Sequence, residues 1–427
     1  MRINNLNLCD FCFTPLNSAN ECPKCGLSAD SYHMDADLLP PGTNLNGKYI
    51  IGRTLGRGGF GATYLSYSID KRRPVAIKEY FPNQIACRAK GETNVSIVSN
   101  DKYGIFQRGA KRFFEEAKAM SKFHGSDSIV GVYEFFYCNN TAYYAMEYLE
   151  GIDLKGYVKK RGGRISEPEA IKIMKAVSDA LVLIHSTGML HRDISPDNIF
   201  ICKDGTVKLI DFGSAKQVVG EQSQSLSVIL KQGFTPYEQY QKGGNQGMWT
   251  DIYSLGATIY YAVTGEIPDD AVSRFQNPII TRSPELGISQ KFVDIIDKCM
   301  RVKINERYQS AHELVVKLNE IIDPDVQLGQ FEQSVYINRN MKILNGGAPM
   351  NWGDQNETNN NPQQWQGDQF ETMAQPGNTQ YQPPYQPPYP PVKKDRSDLI
   401  KKIIIIGGTI FIVGMLVTVF VELMKPV

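Results

Sequence analysis

The sequence predicts an α+β fold, β-rich towards its start and helical beyond, with a small metal-held module in front and a single apolar span behind. Three observations predict it. Between Tyr49 and Ser66, apolar and polar residues alternate on either side of a glycine run, the pattern of strand, turn and strand. Lys111 to Phe123 switches to helical spacing, with Phe113, Ala117 and Met120 repeating, and a second helical stretch covers Glu167 to Ser186. The flanks differ from both. Two C-x-x-C pairs lie before residue 30, and a polar tract with an uncharged apolar run follows residue 323.

Length and charge narrow the function classes. The 427 residues are enough for more than one domain. A net charge of +1 and a pI near 7.5 give no global attraction for nucleic acid, so none is expected as a partner. Met1 to Leu8 has neither a basic start nor a long apolar run, and no secretory leader is expected. Four of the eight cysteines form the two pairs; Cys87, Cys138, Cys202 and Cys299 are scattered. That usage suits a reducing cytosol with one metal site better than a disulfide framework.

The pairs are Cys9-x-x-Cys12 and Cys22-Pro23-Lys24-Cys25, the second followed by Gly26. Thiolates at this spacing both reach one ion, and the glycine allows the turn that aims backbone amides at sulfur. Residues 1–30 are too few to bury a core, so an ion must supply folding energy, roughly 10 kcal/mol or more. Zn²⁺ is the expected metal; iron in a rubredoxin-like site and four unpaired thiols are the alternatives. The segment resembles a zinc ribbon, with His33 a surface residue outside it. Residues 31–48, broken by Pro40-Pro41-Gly42, read as a linker.

Gly56-Arg57-Gly58-Gly59-Phe60-Gly61 is a G-x-G-x-x-G run, whose glycines let the backbone fold over phosphates and offer N–H groups without a side-chain clash. Alone it fits a dinucleotide fold as well; that motif opens into a helix, whereas here a second β-rich stretch follows. Val75-Ala76-Ile77-Lys78 comes next, a strand ending on lysine. Downstream lie His191-Arg192-Asp193-Ile194-Ser195-Pro196-Asp197-Asn198, in the form H-R-D-x-x-x-x-N, and Asp211-Phe212-Gly213. Each stretch also fits an unrelated loop; four in one order decide the matter.

On these motifs, residues 49–320 resemble a protein kinase of the bacterial serine/threonine type. The resemblance implies a two-lobed protein kinase fold over 49–322, with an N-lobe to about residue 148 and a C-lobe from about 149. It implies ATP with Mg²⁺ or Mn²⁺, protein serine or threonine substrates, and a homodimer for autophosphorylation. Asp193 would take the hydroxyl proton, Asn198 and Asp211 would hold the metal, and Lys78 would grip the α- and β-phosphates. Glu116, with Glu115 as rival, would fix Lys78 from the helix. Leu55, Gly56, Gly58, Gly61, Thr63, Ala76 and Phe200 would surround the nucleotide, Thr63 standing where the family usually has valine. Tyr143 to Gly151 resembles the strand and hinge between lobes. There Met146 would back the adenine, and the Glu147 carbonyl and Leu149 amide would pair with the base edge.

Ser214 to Glu238 resembles an activation segment ending Thr235-Pro236-Tyr237-Glu238. It holds Ser223, Ser225 and Ser227, any of which could pair with Arg192 once phosphorylated. Glu238 would pair with Arg307, and Asp251 within Trp249 to Gly256 would anchor the catalytic-loop backbone. Nothing like the Ala-Ala-Arg of tyrosine kinases occurs in the loop. Phe81 to Arg108 has no readable role. One departure matters: Ser195 stands where such kinases carry lysine, which raises a catalytically impaired membrane scaffold as the rival reading. Counting back from Glu238 against the family's Gly-Thr-x-x-Tyr-x-Ala-Pro-Glu ending puts Lys231 on the threonine. The two positions would then have exchanged roles, with Lys231 supplying the charge.

Residues 323–398 are dominated by Asn, Gln, Gly and Pro, ending in Tyr381-Gln382-Pro383-Pro384-Tyr385-Gln386-Pro387-Pro388-Tyr389, and hold too few aliphatics to bury a core. About 75 such residues reach on the order of 50 Å as a flexible spacer. Ile403 to Val421 carries no charge and has the length of a membrane helix. Lys393, Lys394, Arg396, Lys401 and Lys402 precede it and only Lys425 follows, so the kinase is expected on the cytoplasmic face of a cell membrane.

Overall fold

The computed structural model describes residues 7–28, 31–212, 231–241, 243–275 and 286–322. Ser223, Ser225, Ser227, Gly213, the 323–398 tract and the 403–421 run lie outside the described residues. Among the described residues no helix is long and apolar enough to cross a membrane.

In chain order the strands are β1 (Asn44–Leu45), β2 (Tyr49–Gly58), β3 (Gly61–Ser68), β4 (Arg73–Tyr80), β5 (Ala86–Cys87), β6 (Ser96–Ile97), β7 (Val132–Cys138), β8 (Thr141–Met146), β9 (Gly151–Asp153), β10 (Ile199–Cys202) and β11 (Val207–Leu209). The helices are α1 (Tyr103–Ser121), α2 (Leu154–Lys160), α3 (Glu167–Ser186), α4 (Tyr237–Tyr240), α5 (Met248–Thr264), α6 (Gln290–Cys299) and α7 (Ala311–Ile322). Six strands make one antiparallel sheet in the order β1-β2-β3-β4-β8-β7; β11-β10-β9 and β5-β6 are small separate sheets. A sheet-rich lobe thus precedes a helical one.

Side-chain alternation gives the large sheet two different faces. Tyr64, Ile77 and Ala145 are register partners across β3, β4 and β8, and pack with Leu38, Leu39 and Leu45. The adjoining row, Thr63, Lys78 and Tyr144, points the other way, towards α1, where the Phe113 ring lies 5.0 Å from Tyr144. Residues 31–48 are therefore not a free linker: Leu39 and Leu45 have no exposed surface. Two adjacent leucines and a two-residue strand show no periodicity, so the proline break dominated the sequence reading.

Helix α1 starts eight residues before the stretch read as helical, because its buried face already includes Phe106 and Ala110. Gly109 lies within this added stretch. A Cβ there would sit 1.9 Å from the Tyr80 hydroxyl, so the glycine is required by packing rather than by a turn. In the helical lobe, α3 opens with a Ser166–Glu169 capping box and α5 is buried along nearly its whole length. Gly265, at φ 81°, ends α5 in the left-handed region against the Gly163 carbonyl.

The 81–108 segment packs against the large sheet, and its Val95 amide donates to the Asn139 carbonyl in the β7–β8 turn at 2.9 Å. Phe81, Ile85, Ala86 and Val95 enter the main core, and Arg88 forms a fully buried ion pair with Glu79. Tyr143 and Tyr64 also donate to Glu79, the latter at 2.8 Å. Arg88 donates in turn to the carbonyls of Thr93 (2.9 Å) and Asp37 (3.0 Å). Burial, followed by the Glu79 charge, pushes both phenols up, so they stay donors.

Candidate active site

The site is assembled from the sheet, the loop after α3 and the strand β11. Strands β2 and β3 meet at the Gly59–Phe60 turn, and Gly56 pairs with Thr63, which pairs with Lys78. Gly61 is needed for close approach: a Cβ would lie 2.3 Å from the Glu79 carbonyl oxygen. Leu55, Gly56 and Gly58 are solvent-exposed on the other arm of the turn. Ala76 is buried and faces Met146 across β4 and β8. Past β8, Glu147 donates its N–H to the Gly131 carbonyl at 2.8 Å, and Leu149 is half-buried. Phe200 sits half-buried on β10, next to Gly151, where a Cβ would meet its ring at 2.8 Å.

The Lys78 ammonium contacts the Asp211 carboxylate directly, and the Tyr144 hydroxyl donates to the same oxygen at 3.1 Å. Glu116 is buried on α1; burial, then the Asp211 and Glu116 charges, hold the Tyr144 phenol well above its usual range. Lys78 thus pairs with Asp211, while Glu116 approaches the same cluster from the helix side.

The loop after α3 hangs on one buried carboxylate. Asp251 of α5 accepts the backbone N–H groups of His191 (2.9 Å) and Arg192 (2.7 Å) and contacts His185 Nε2 at 2.8 Å. Burial disfavours this charge, but the His185 hydrogen bond and the loop amides outweigh it and hold its pKa below the usual range. Arg192 and Asp211 both adopt positive φ, 64° and 61°, conformations that persist only where surrounding bonds over-determine them. Asp193 is almost buried, and Asn198 Nδ2 donates to its carboxylate at 2.7 Å and to its carbonyl at 2.6 Å. The Asn198 amide oxygen and the Asp211 carboxylate are the hard oxygen donors that suit Mg²⁺.

Ser195 and Lys231 meet in space. The Ser195 hydroxyl is fully buried and accepts a 2.5 Å hydrogen bond from Lys231 Nζ, which also lies 3.7 Å from Asp193 and 3.4 Å from Asp197. A turn fixes the lysine, since its carbonyl accepts from the amides of Phe234 (3.0 Å) and Thr235 (3.1 Å). Asp197 was not singled out from sequence; its place inside the loop motif was the available signal. Further down, Glu238 and Arg307 form a buried pair at 2.7 Å, to which Thr250 Oγ1 donates at 3.1 Å.

Cys9, Cys12, Cys22 and Cys25 converge, their sulfurs all within 4.8 Å of one another. Three separations are 3.6, 3.4 and 3.5 Å. Four sulfurs about 2.3 Å from a tetrahedral Zn²⁺ stand about 3.8 Å apart, so the set fits the ion after a small expansion. The Cys25 amide points at Cys22 Sγ, and despite some burial such amides draw that thiol down to about 6.

Comparison with known proteins decides the family. Residues 49–317 match the protein kinase domain model. The chain belongs to the protein kinase family. It is 31% identical over 284 residues to "Serine/threonine-protein kinase F" of Synechocystis sp., covering 64% of this chain and 55% of that one. It is 31% identical to "Serine/threonine-protein kinase PknA" of Nostoc sp., over 64% of this chain and 47% of that one, and 28% identical to PrkC of Bacillus subtilis, over 66% and 42%. The chain therefore spans about half the length of the curated relatives it matches. A solved structure described as "PpkA-294 apo form" superposes with a TM-score of 0.62 at 32% identity, covering 66% of this chain and 99% of that one.

Proposed function

We propose that this chain is an active serine/threonine protein kinase that carries a zinc ribbon and is held at a membrane by its C-terminal span. The carrying observation is Lys231, whose ammonium stands between Ser195, Asp193 and Asp197. Phosphoryl transfer asks the protein for positioning and positive charge rather than covalent chemistry. In this reading Asp193, oriented by Asn198, accepts the proton of a substrate hydroxyl. Lys78 steadies the α- and β-phosphates, with Glu116 near it, and the turn after β2 covers them with backbone N–H groups. Asn198 and Asp211 would hold Mg²⁺, which neutralises charge on the phosphates. Lys231 supplies the cation that Ser195 does not.

The deciding experiment is transfer of radiolabel from ATP by the purified full-length chain, followed by phosphoamino-acid analysis. Phosphoserine and phosphothreonine are expected. Nucleotide binding without any transfer would establish the scaffold reading that the serine at 195 otherwise motivates.

Two outer features carry their own tests. The full-length chain should contain about one zinc ion by elemental analysis, lost when Cys22 and Cys25 become serine; a metal-free protein with a folded N-terminus would remove zinc from the reading. Truncation after Lys394 should release the chain from membranes with transfer intact. If the truncated chain still sediments with membranes, the 403–421 run is not its anchor.

A further inference from the structure

The N-terminal segment does more than fold around its cysteines. Its contacts climb strand β2 in register towards the glycine turn. Phe13 fills the space beside Gly52, where a Cβ would lie 2.8 Å from its ring, and the Phe11 carbonyl accepts the Arg53 N–H at 3.0 Å. The Tyr32 hydroxyl accepts the Thr54 N–H at 2.7 Å. Arg57, inside the glycine run, is gripped by Asp35 at 2.7 Å and by both oxygens of Asp37 at 2.6 and 2.8 Å. The contacts at Gly52, Arg53 and Thr54 fall where β2 loses its regular pairing with β3: the register shifts between Ile51 and Thr54 and again between Thr54 and Gly56. A strand with an interrupted ladder is free to move, and here residues from a different part of the chain take up its spare amides.

The lower end of the same segment is tied to the hinge. Lys24 pairs with Glu150 at 2.7 Å, and Tyr148 packs with Phe13, Leu65 and Ile50. Asp37 is held from behind as well, because its carbonyl accepts from buried Arg88.

We propose that residues 9–28 and 31–37 act as a strap that sets the height of the glycine turn over ATP. Asp37 and Arg57 are its positioning residues and the four-cysteine site is its far anchor. The proposal rests on the kinase reading for the identity of the ligand. Its test therefore reads nucleotide affinity directly, which is measurable whether or not transfer occurs. Without the strap the turn samples open positions, and only the closed fraction binds ATP well, which weakens the apparent affinity.

The experiment uses the full-length chain and titration with a fluorescent ATP analogue. Asp35→Asn with Asp37→Asn removes both charges but keeps the Asp37 carbonyl for Arg88. It should raise the Kd about fivefold, the size expected when partly exposed ion pairs of ~1 kcal/mol are lost. Asp37→Glu keeps the charge and should stay within about twofold of wild type. Cys25→Ser, checked for metal loss by elemental analysis, should weaken the Kd by a similar factor. Combined with the double Asn variant it should add less than the product of the two, because both break one strap. An unchanged Kd in the folded double Asn variant overturns the proposal, as does an equal loss in Asp37→Glu. A Cys25→Ser chain that has lost its metal but keeps the wild-type Kd overturns the cysteine anchor.

Discussion

Lys231→Ala should lower phosphoryl transfer about a hundredfold while leaving ATP affinity within about twofold. Removing one group that stabilises transition-state charge commonly costs about 3 kcal/mol, which is that factor in rate. Lys231 reaches Ser195, Asp193 and Asp197, on the hydroxyl-accepting side of the site, whereas the nucleotide grip is assigned to Lys78 and the glycine turn. The loss should therefore fall on turnover. Lys231→Thr with Ser195→Lys would return the cation to the loop and should restore part of the rate. The Lys231 side chain is 28% exposed and its ammonium lies among polar groups, so the alanine removes no buried apolar packing around that charge. Near-normal turnover in Lys231→Ala would refute the role.

What the sequence made legible, and what it hid, follows from the range over which each signal acts. The glycine turn between β2 and β3 and helix α3 were readable because alternation, glycine spacing and a 20-residue periodic stretch are local patterns. The convergence of four cysteines was readable because the spacing already puts two sulfurs within reach of one ion. The contacts of Asp251 and of Glu238 with Arg307 were approached only through a family resemblance, since residues 60 or 69 positions apart leave no local trace. Residues 31–48 and 81–108 hid for a different reason. Their anchors are single side chains, Leu39, Asp37 and Arg88, whose partners lie on strands and loops elsewhere in the chain. A charged residue in an irregular stretch looks like surface until its partner is known.

Arg88→Ala should destabilise the folded chain by about 4 kcal/mol, on the order of 10 °C in Tm for a domain of this size. Both members of the Arg88–Glu79 pair have fully buried side chains, so the substitution leaves a carboxylate in the core with only tyrosine donors. The Tyr64 and Tyr143 hydroxyls can solvate that charge but cannot neutralise it. Breaking one half of a buried pair is much more damaging than removing both halves. Arg88→Met with Glu79→Gln should therefore recover most of the loss, since it keeps an acceptor for the phenols and leaves no charge behind. Thermal or denaturant unfolding of the three proteins decides it, and a loss below about 1 kcal/mol in Arg88→Ala would mean that the pair carries little of the fold. The expected size also gives the 81–108 segment its reason to exist. Glu79 follows Lys78 on β4, and its neighbours on the sheet are Ala62 and Tyr143. Arg88 thus fixes, from behind, the strand that aims Lys78 at Asp211, and loosening it should shift the lysine before the chain unfolds.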